Sequence, residues 1–184
     1  MPTTVTPEQV IDFWFVEHGS DDWFAGSEEF DRKIDEKFRE TRDAAAKSEL
    51  FGWRTSPKGR LAEIIVLDQF SRQLYRGEAE AFAADPLCLA LAQELVLRGE
   101  DKSLTDDERH FAYMPFMHSE SMLVHQEAVR LYTELGNEDG LKFEMMHFDI
   151  IKRFGRYPMR NKPLGRPSTP EEAAYIEERQ GKMF

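Results

Sequence analysis

The chain has 184 residues, 41% of them apolar and 32% charged, a balance that predicts one globular domain (residues 1–184) and excludes a disordered polymer. Its net charge of −11 argues against a broad nucleic-acid or anionic-membrane surface, because phosphates would be repelled. One cysteine, Cys88, excludes an internal disulfide, and no apolar run reaches the ~20 residues that span a bilayer.

The first residues, Met1-Pro2-Thr3-Thr4, are neither basic nor followed by an apolar stretch, so the expectation is a cytoplasmic protein without a signal peptide. Thr6-Pro7-Glu8-Gln9 then predicts a capped first helix carrying Val10, Phe13 and Trp14 and stopping by Gly19. Ser27 caps a second, with Phe30, Ile34 and Phe38 recurring every four residues. A third runs from Pro57 to Gly77, and a fourth from Asp85-Pro86 to Gly99. Thr105-Asp106-Asp107-Glu108 opens a short fifth that Pro115 is expected to end. The sixth starts at Ser119 or Ser121 and ends at Gly136; the seventh extends from Asn137 to Gly155. Thr169-Pro170-Glu171-Glu172 opens the last, to about Gln180.

No stretch alternates with period two for long enough to be a strand. The expected fold is therefore all-α, about eight helices in antiparallel pairs. A tetratricopeptide consensus, with its repeat of about 34 residues, is not present.

Drawn at 100° per residue, the third helix is apolar on two faces from Leu61 to Phe70, which makes it a central helix. Asp68 and Arg72 lie four residues apart in the favourable order, acid before base. They form a buried ion pair or, in a functional reading, Asp68 is a pocket carboxylate. Cys88, between two leucines on an apolar helix, is expected to be inert.

Five histidines raise the question of a metal. Glu144-x-x-His147 has the spacing used by di-iron bundles, but the second pair and the extra carboxylates those sites require are missing. No zinc spacing occurs, so neither a metal nor a cofactor is expected. His118-Ser119-Glu120 lies at a helix start, where free backbone N–H groups favour an anion. His147 lies among apolar residues, and His125 reads as structural. Six basic residues and no acidic one fall between Lys152 and Arg166, including Arg153, Arg156 and Arg160. Such a segment either pairs with the domain's excess acids or binds an anion.

Three motifs together are distinctive. Leu67-Asp68-Gln69-Phe70-Ser71-Arg72-Gln73-Leu74-Tyr75-Arg76-Gly77, Phe111 to Glu120, and Arg153-Phe154-Gly155-Arg156-Tyr157-Pro158-Met159-Arg160-Asn161 resemble the bacterial family catalogued as domain of unknown function 924. The likeness extends over the whole length, including Pro7-x-x-Val10-x-x-Phe13-Trp14-Phe15. It implies an all-helical fold similar to the tetratricopeptide superfamily and no established reaction. The family pattern has Pro-Arg-Asn where this chain has Ser71-Arg72-Gln73, and often His at Met159, so a mechanism needing a histidine in that loop could not run here. Asp68, Arg72, His118, Glu120, Arg153, Arg156, Arg160 and Asn161 match the motif positions.

These residues, with His147, are the candidate ligand-binding set. The first functional expectation is a binding protein for an anionic small molecule or a peptide carboxylate, held in a cleft by the basic loop 152–166 and the segment 118–120. The second is an enzyme using His118 or His147 as general acid/base on an anionic substrate. The third is a purely structural interaction protein whose charges pair internally.

Overall fold

Gln9 N donates to the Thr6 hydroxyl while Thr6 N donates to the Gln9 side chain, the reciprocal cap that starts α1 (Pro7–Asp12). The computed structural model describes residues 5–179, so the leader reading of Met1 to Thr4 and the expected helix end at Gln180 lie outside the described residues. Among those residues the fold is all-α: there is no strand, and no helix is long and apolar enough to cross a membrane. The chain divides into two compact units, Met1–Arg76 with Glu80–Pro115, and Gly77–Ala79 with Phe116–Phe184.

In the first unit, α1 widens into a π-helical turn, Phe13–Glu17, and a short α2 (Ser20–Trp23) follows that the sequence pattern did not indicate. Ser27 caps α3 (Glu28–Ala46), which buries the expected stripe Phe30, Ile34 and Phe38. The predicted central helix is α4 (Pro57–Ile65), a π turn (Val66–Phe70) and α5 (Ser71–Leu74) in continuous succession. Every residue from 59 to 71 is buried, as two apolar faces require. α6 (Asp85–Leu97) and α7 (Asp106–Met117) complete the unit, the last two residues of α7 belonging to the second.

Pro115 does not end α7, contrary to expectation. It sits in the last turn, where its missing N–H forfeits one bond and little helix remains to be disrupted. The two π turns meet in the aromatic core: the Trp14 and Phe70 rings are 5.6 Å apart, and Phe111 stands edge-on to Trp14 at 5.4 Å.

The second unit is built on the hairpin of α8 (Met122–Leu135) and α9 (Glu138–Phe154), joined by Gly136 and Asn137. Gly136 and Gly155 take the left-handed conformation that closes each helix. Gly140 lets the hairpin close, since a Cβ there would lie 2.8 Å from the Tyr132 ring. After Gly155 the chain makes one 3-10 turn, Pro158–Arg160, and enters α10 (Pro170–Glu178) through the predicted Thr169/Glu172 capping box. Ile150, Ile151, Tyr157 and Tyr175 form the small core under this loop, flanked by Met122 and Phe154.

Candidate functional site

Asp68 and Arg72 lie in the first unit and form the ion pair their spacing predicts. Asp68 sits in the π turn, almost fully buried, with Arg72 Nη1 2.9 Å from its Oδ1. The Gln69 amide donates to its Oδ2 at 2.6 Å. Arg72 also grips both oxygens of Asp85, at 2.9 and 3.0 Å. Burial alone would lower the guanidinium's pKa; the two carboxylates outweigh it and hold the charge firmly. Cys88 is buried nearby, and desolvation raises its thiol well above the ordinary value.

The remaining candidates lie in the second unit, where the basic loop acts as a clasp. Arg156 donates to both oxygens of Glu172, at 2.6 and 2.8 Å, and to Pro167 O. Asn161, buried, donates to the same carboxylate and to Ser168 Oγ. Arg156, helped by the Thr169 cap, brings the Glu172 carboxyl down to about 2, against the opposing effect of burial. Arg160 is buried, donates to His118 O at 2.9 Å and places its guanidinium carbon over the Tyr157 ring, 4.6 Å from the centroid. Glu120 accepts from Tyr157 N at 2.7 Å and receives both ends of Arg166. Burial alone would raise its carboxyl, but these donors bring it below the usual carboxylate value.

Thus the 118–120 segment and the loop do meet, as the sequence suggests, but protein groups occupy the contact. His118 contributes its carbonyl to Arg160, and Glu120 contributes its carboxylate to Arg166. Arg166 was the missed partner; only its place in the basic run hinted at it.

His147 donates through Nδ1 to Phe143 O at 2.7 Å, and burial pushes the imidazole down to about 3. It is therefore neutral, with its ring 6.2 Å from that of His118. Glu144, three residues before it, does not share its surroundings as a metal pair would. It faces His125 instead: His125 Nδ1 lies 2.6 Å from Glu144 Oε1, both side chains being fully buried. His125 Nε2 lies 2.8 Å from Ser119 O and 3.1 Å from the Tyr157 hydroxyl. The Ser119 carbonyl can only accept, so Nε2 carries a hydrogen. One proton is then shared across the Nδ1–Oε1 contact. Burial raises the Glu144 carboxyl, with His125 opposing. The role of Glu144 was invisible because its partner lies on another helix.

Arg153 has a different setting. It pairs with Glu171 at 2.8 Å, both side chains being more than half exposed, and lies over Phe154 with its guanidinium carbon 4.6 Å from the ring centroid. It lines an open cavity of about 210 Å³ between α9 and α10, with Met146, Asp149, Ile150, Phe154, Tyr175 and Arg179. Arg179 lies over the Tyr175 ring at 5.3 Å. Tyr175, Asp149 and Arg179 were not anticipated, although Met146, Asp149, Ile150 and Arg153 share one face of α9 by helical spacing.

The family described as "Bacterial protein of unknown function (DUF924)" matches residues 10–180. No curated protein matches the chain. The solved structure of the protein of unknown function ATU0120 from Agrobacterium tumefaciens is similar, with a TM-score of 0.88 and 41% identity; the match covers 94% of this chain and 97% of that one.

Proposed function

Because the chain belongs to the DUF924 family, whose description names no activity, we propose from its own geometry that it is a binding protein for a small organic anion, held in the α9–α10 cavity by Arg153 and Arg179. One observation carries this reading. Of the basic-loop arginines, Arg156 and Arg166 are engaged by partly or wholly buried protein carboxylates, whereas Arg153 faces a cavity and its one ion pair among the described residues is exposed. Such a surface pair contributes about 0–1 kcal/mol, so a ligand carboxylate can displace Glu171 at little cost. The Arg153 and Arg179 guanidinium carbons lie over the Phe154 and Tyr175 rings, contacts that restrict them and lower the entropic cost of binding.

The enzyme reading has less to support it. An imidazole held near pKa 3 is a weak base at neutral pH, which counts against His147. The purely structural reading fits Arg156 and Arg166 but leaves the cavity unused. A tetratricopeptide-like scaffold remains part of the proposal, with the α8–α9 hairpin as its helix pair.

Calorimetric titration with 3-phenylpropionate, and with its neutral amide as control, tests the reading. The carboxylate should bind and the amide should not; equal binding, or none, would refute it.

A further inference from the structure

We infer that the anion taken by this cavity is a zwitterion, an α-amino acid with an apolar side chain; the inference rests on the reading above and narrows it. It starts from an ion pair that does not form. Asp149 and Arg153 stand one turn apart on α9 in the order that ordinarily pairs, acid before base. Arg153 turns instead to Glu171 and to the Phe154 ring, and Asp149 makes no hydrogen bond or ion pair among the described residues. The cavity therefore places the unpaired Asp149 carboxylate beside the Arg153 and Arg179 guanidinium groups, charges of both signs around one space.

An α-amino acid supplies those two charges on adjacent atoms. Its carboxylate matches the planar N–H edges of Arg153 and Arg179, and its ammonium matches Asp149. The remaining wall is apolar: Met146, Ile150 and Phe154 would receive the side chain. A volume of about 210 Å³ corresponds to about seven water molecules at ~30 Å³ each, the scale of one amino acid rather than a nucleotide. Tyr175 adds a further unsatisfied group. Its hydroxyl is buried and has no hydrogen-bond partner among the described residues, although a buried hydroxyl normally has one.

The test titrates the full chain with L-phenylalanine, with 3-phenylpropionate, which lacks the ammonium, and with phenethylamine, which lacks the carboxylate. Phenylalanine should bind most tightly, and Asp149→Asn should weaken it about tenfold, as loss of one charge-assisted bond implies, without weakening 3-phenylpropionate, which is relieved of a like charge. Asp149 is exposed, so the variant should keep the parent's melting temperature. If 3-phenylpropionate binds as well as phenylalanine and Asp149→Asn changes neither, the zwitterion inference is overturned while the anion site stands. If neither ligand binds, both fail.

Discussion

Arg166 closes on both oxygens of Glu120, at 2.7 and 2.9 Å, joining residues 46 positions apart at the point where Glu120 also accepts the Tyr157 backbone N–H. This contact, with Arg156–Glu172, fixes the long loop that the sequence marks only as basic and proline-rich. Glu120→Ala should therefore cost about 1.5–3 kcal/mol, since it leaves the Tyr157 N–H without its acceptor and strips Arg166 of its carboxylate, leaving it only Asn161 Oδ1 and Tyr157 O among the described residues. Glu120→Gln should cost less. Chemical denaturation of both variants would check this, and an unchanged midpoint for Glu120→Ala would contradict the clasp.

The clasp also sets an acid limit. Glu120 and Glu172 both have folded pKa values below the unfolded ones, Glu172 at about 2. Their stabilisation is complete above the unfolded carboxylate range and is lost as pH falls through the folded values. Arg156→Ala should remove much of the Glu172 share of this dependence. Denaturation midpoints from pH 6 down to pH 2 should fall less steeply in the variant than in the parent.

Glu144 works in the opposite sense. Its folded pKa is raised, so its contribution is present at low pH and diminishes as pH rises through the folded value. Glu144→Gln should be tolerated: the amide can donate to His125 Nδ1 while Nε2 still donates to Ser119 O. The variant should lose this part of the pH dependence. Glu144→Ala, which opens a cavity and strands the imidazole, should cost about 2–4 kcal/mol. A Gln variant as unstable as the Ala variant would show that the negative charge itself is needed.

In the first unit, Arg72→Ala should be more damaging than Asp68→Ala. The first leaves two acids without their shared cation, whereas the second leaves Arg72 still bound to Asp85. Losing one partner of a buried pair costs about 3–5 kcal/mol, and adding Asp68→Asn to Arg72→Ala should recover part of that. Equal destabilisation by the two single changes would contradict this arrangement.

Much of the helical skeleton was legible because caps are local chemistry. Thr6, Ser27, Asn137 and Thr169 each accept the backbone N–H that their positions suggest. The π turns at Phe13–Glu17 and Val66–Phe70 were not, since widening a helical turn depends on packing and leaves no local residue signature. The Asp68–Arg72 pair was legible from helical spacing. Arg166–Glu120, Arg156–Glu172 and His125–Glu144 were not, because each joins separate segments and any of many acids could have served. The cavity was half legible: its α9 face follows from periodicity, while the arrival of Tyr175 and Arg179 depends on how the clasp seats α10.

Under the proposed function the arginines divide into those that hold the fold and those that hold a ligand. The most direct measurement is calorimetric titration of 3-phenylpropionate, paired with thermal melting, on the parent, Arg153→Ala, Arg179→Ala and Arg156→Ala. Arg153→Ala and Arg179→Ala should each weaken binding at least about tenfold, Arg153→Ala with a melting temperature near the parent's, whereas Arg156→Ala should lower the melting temperature. Undiminished binding in Arg153→Ala and Arg179→Ala, or no binding by the parent, would contradict the account.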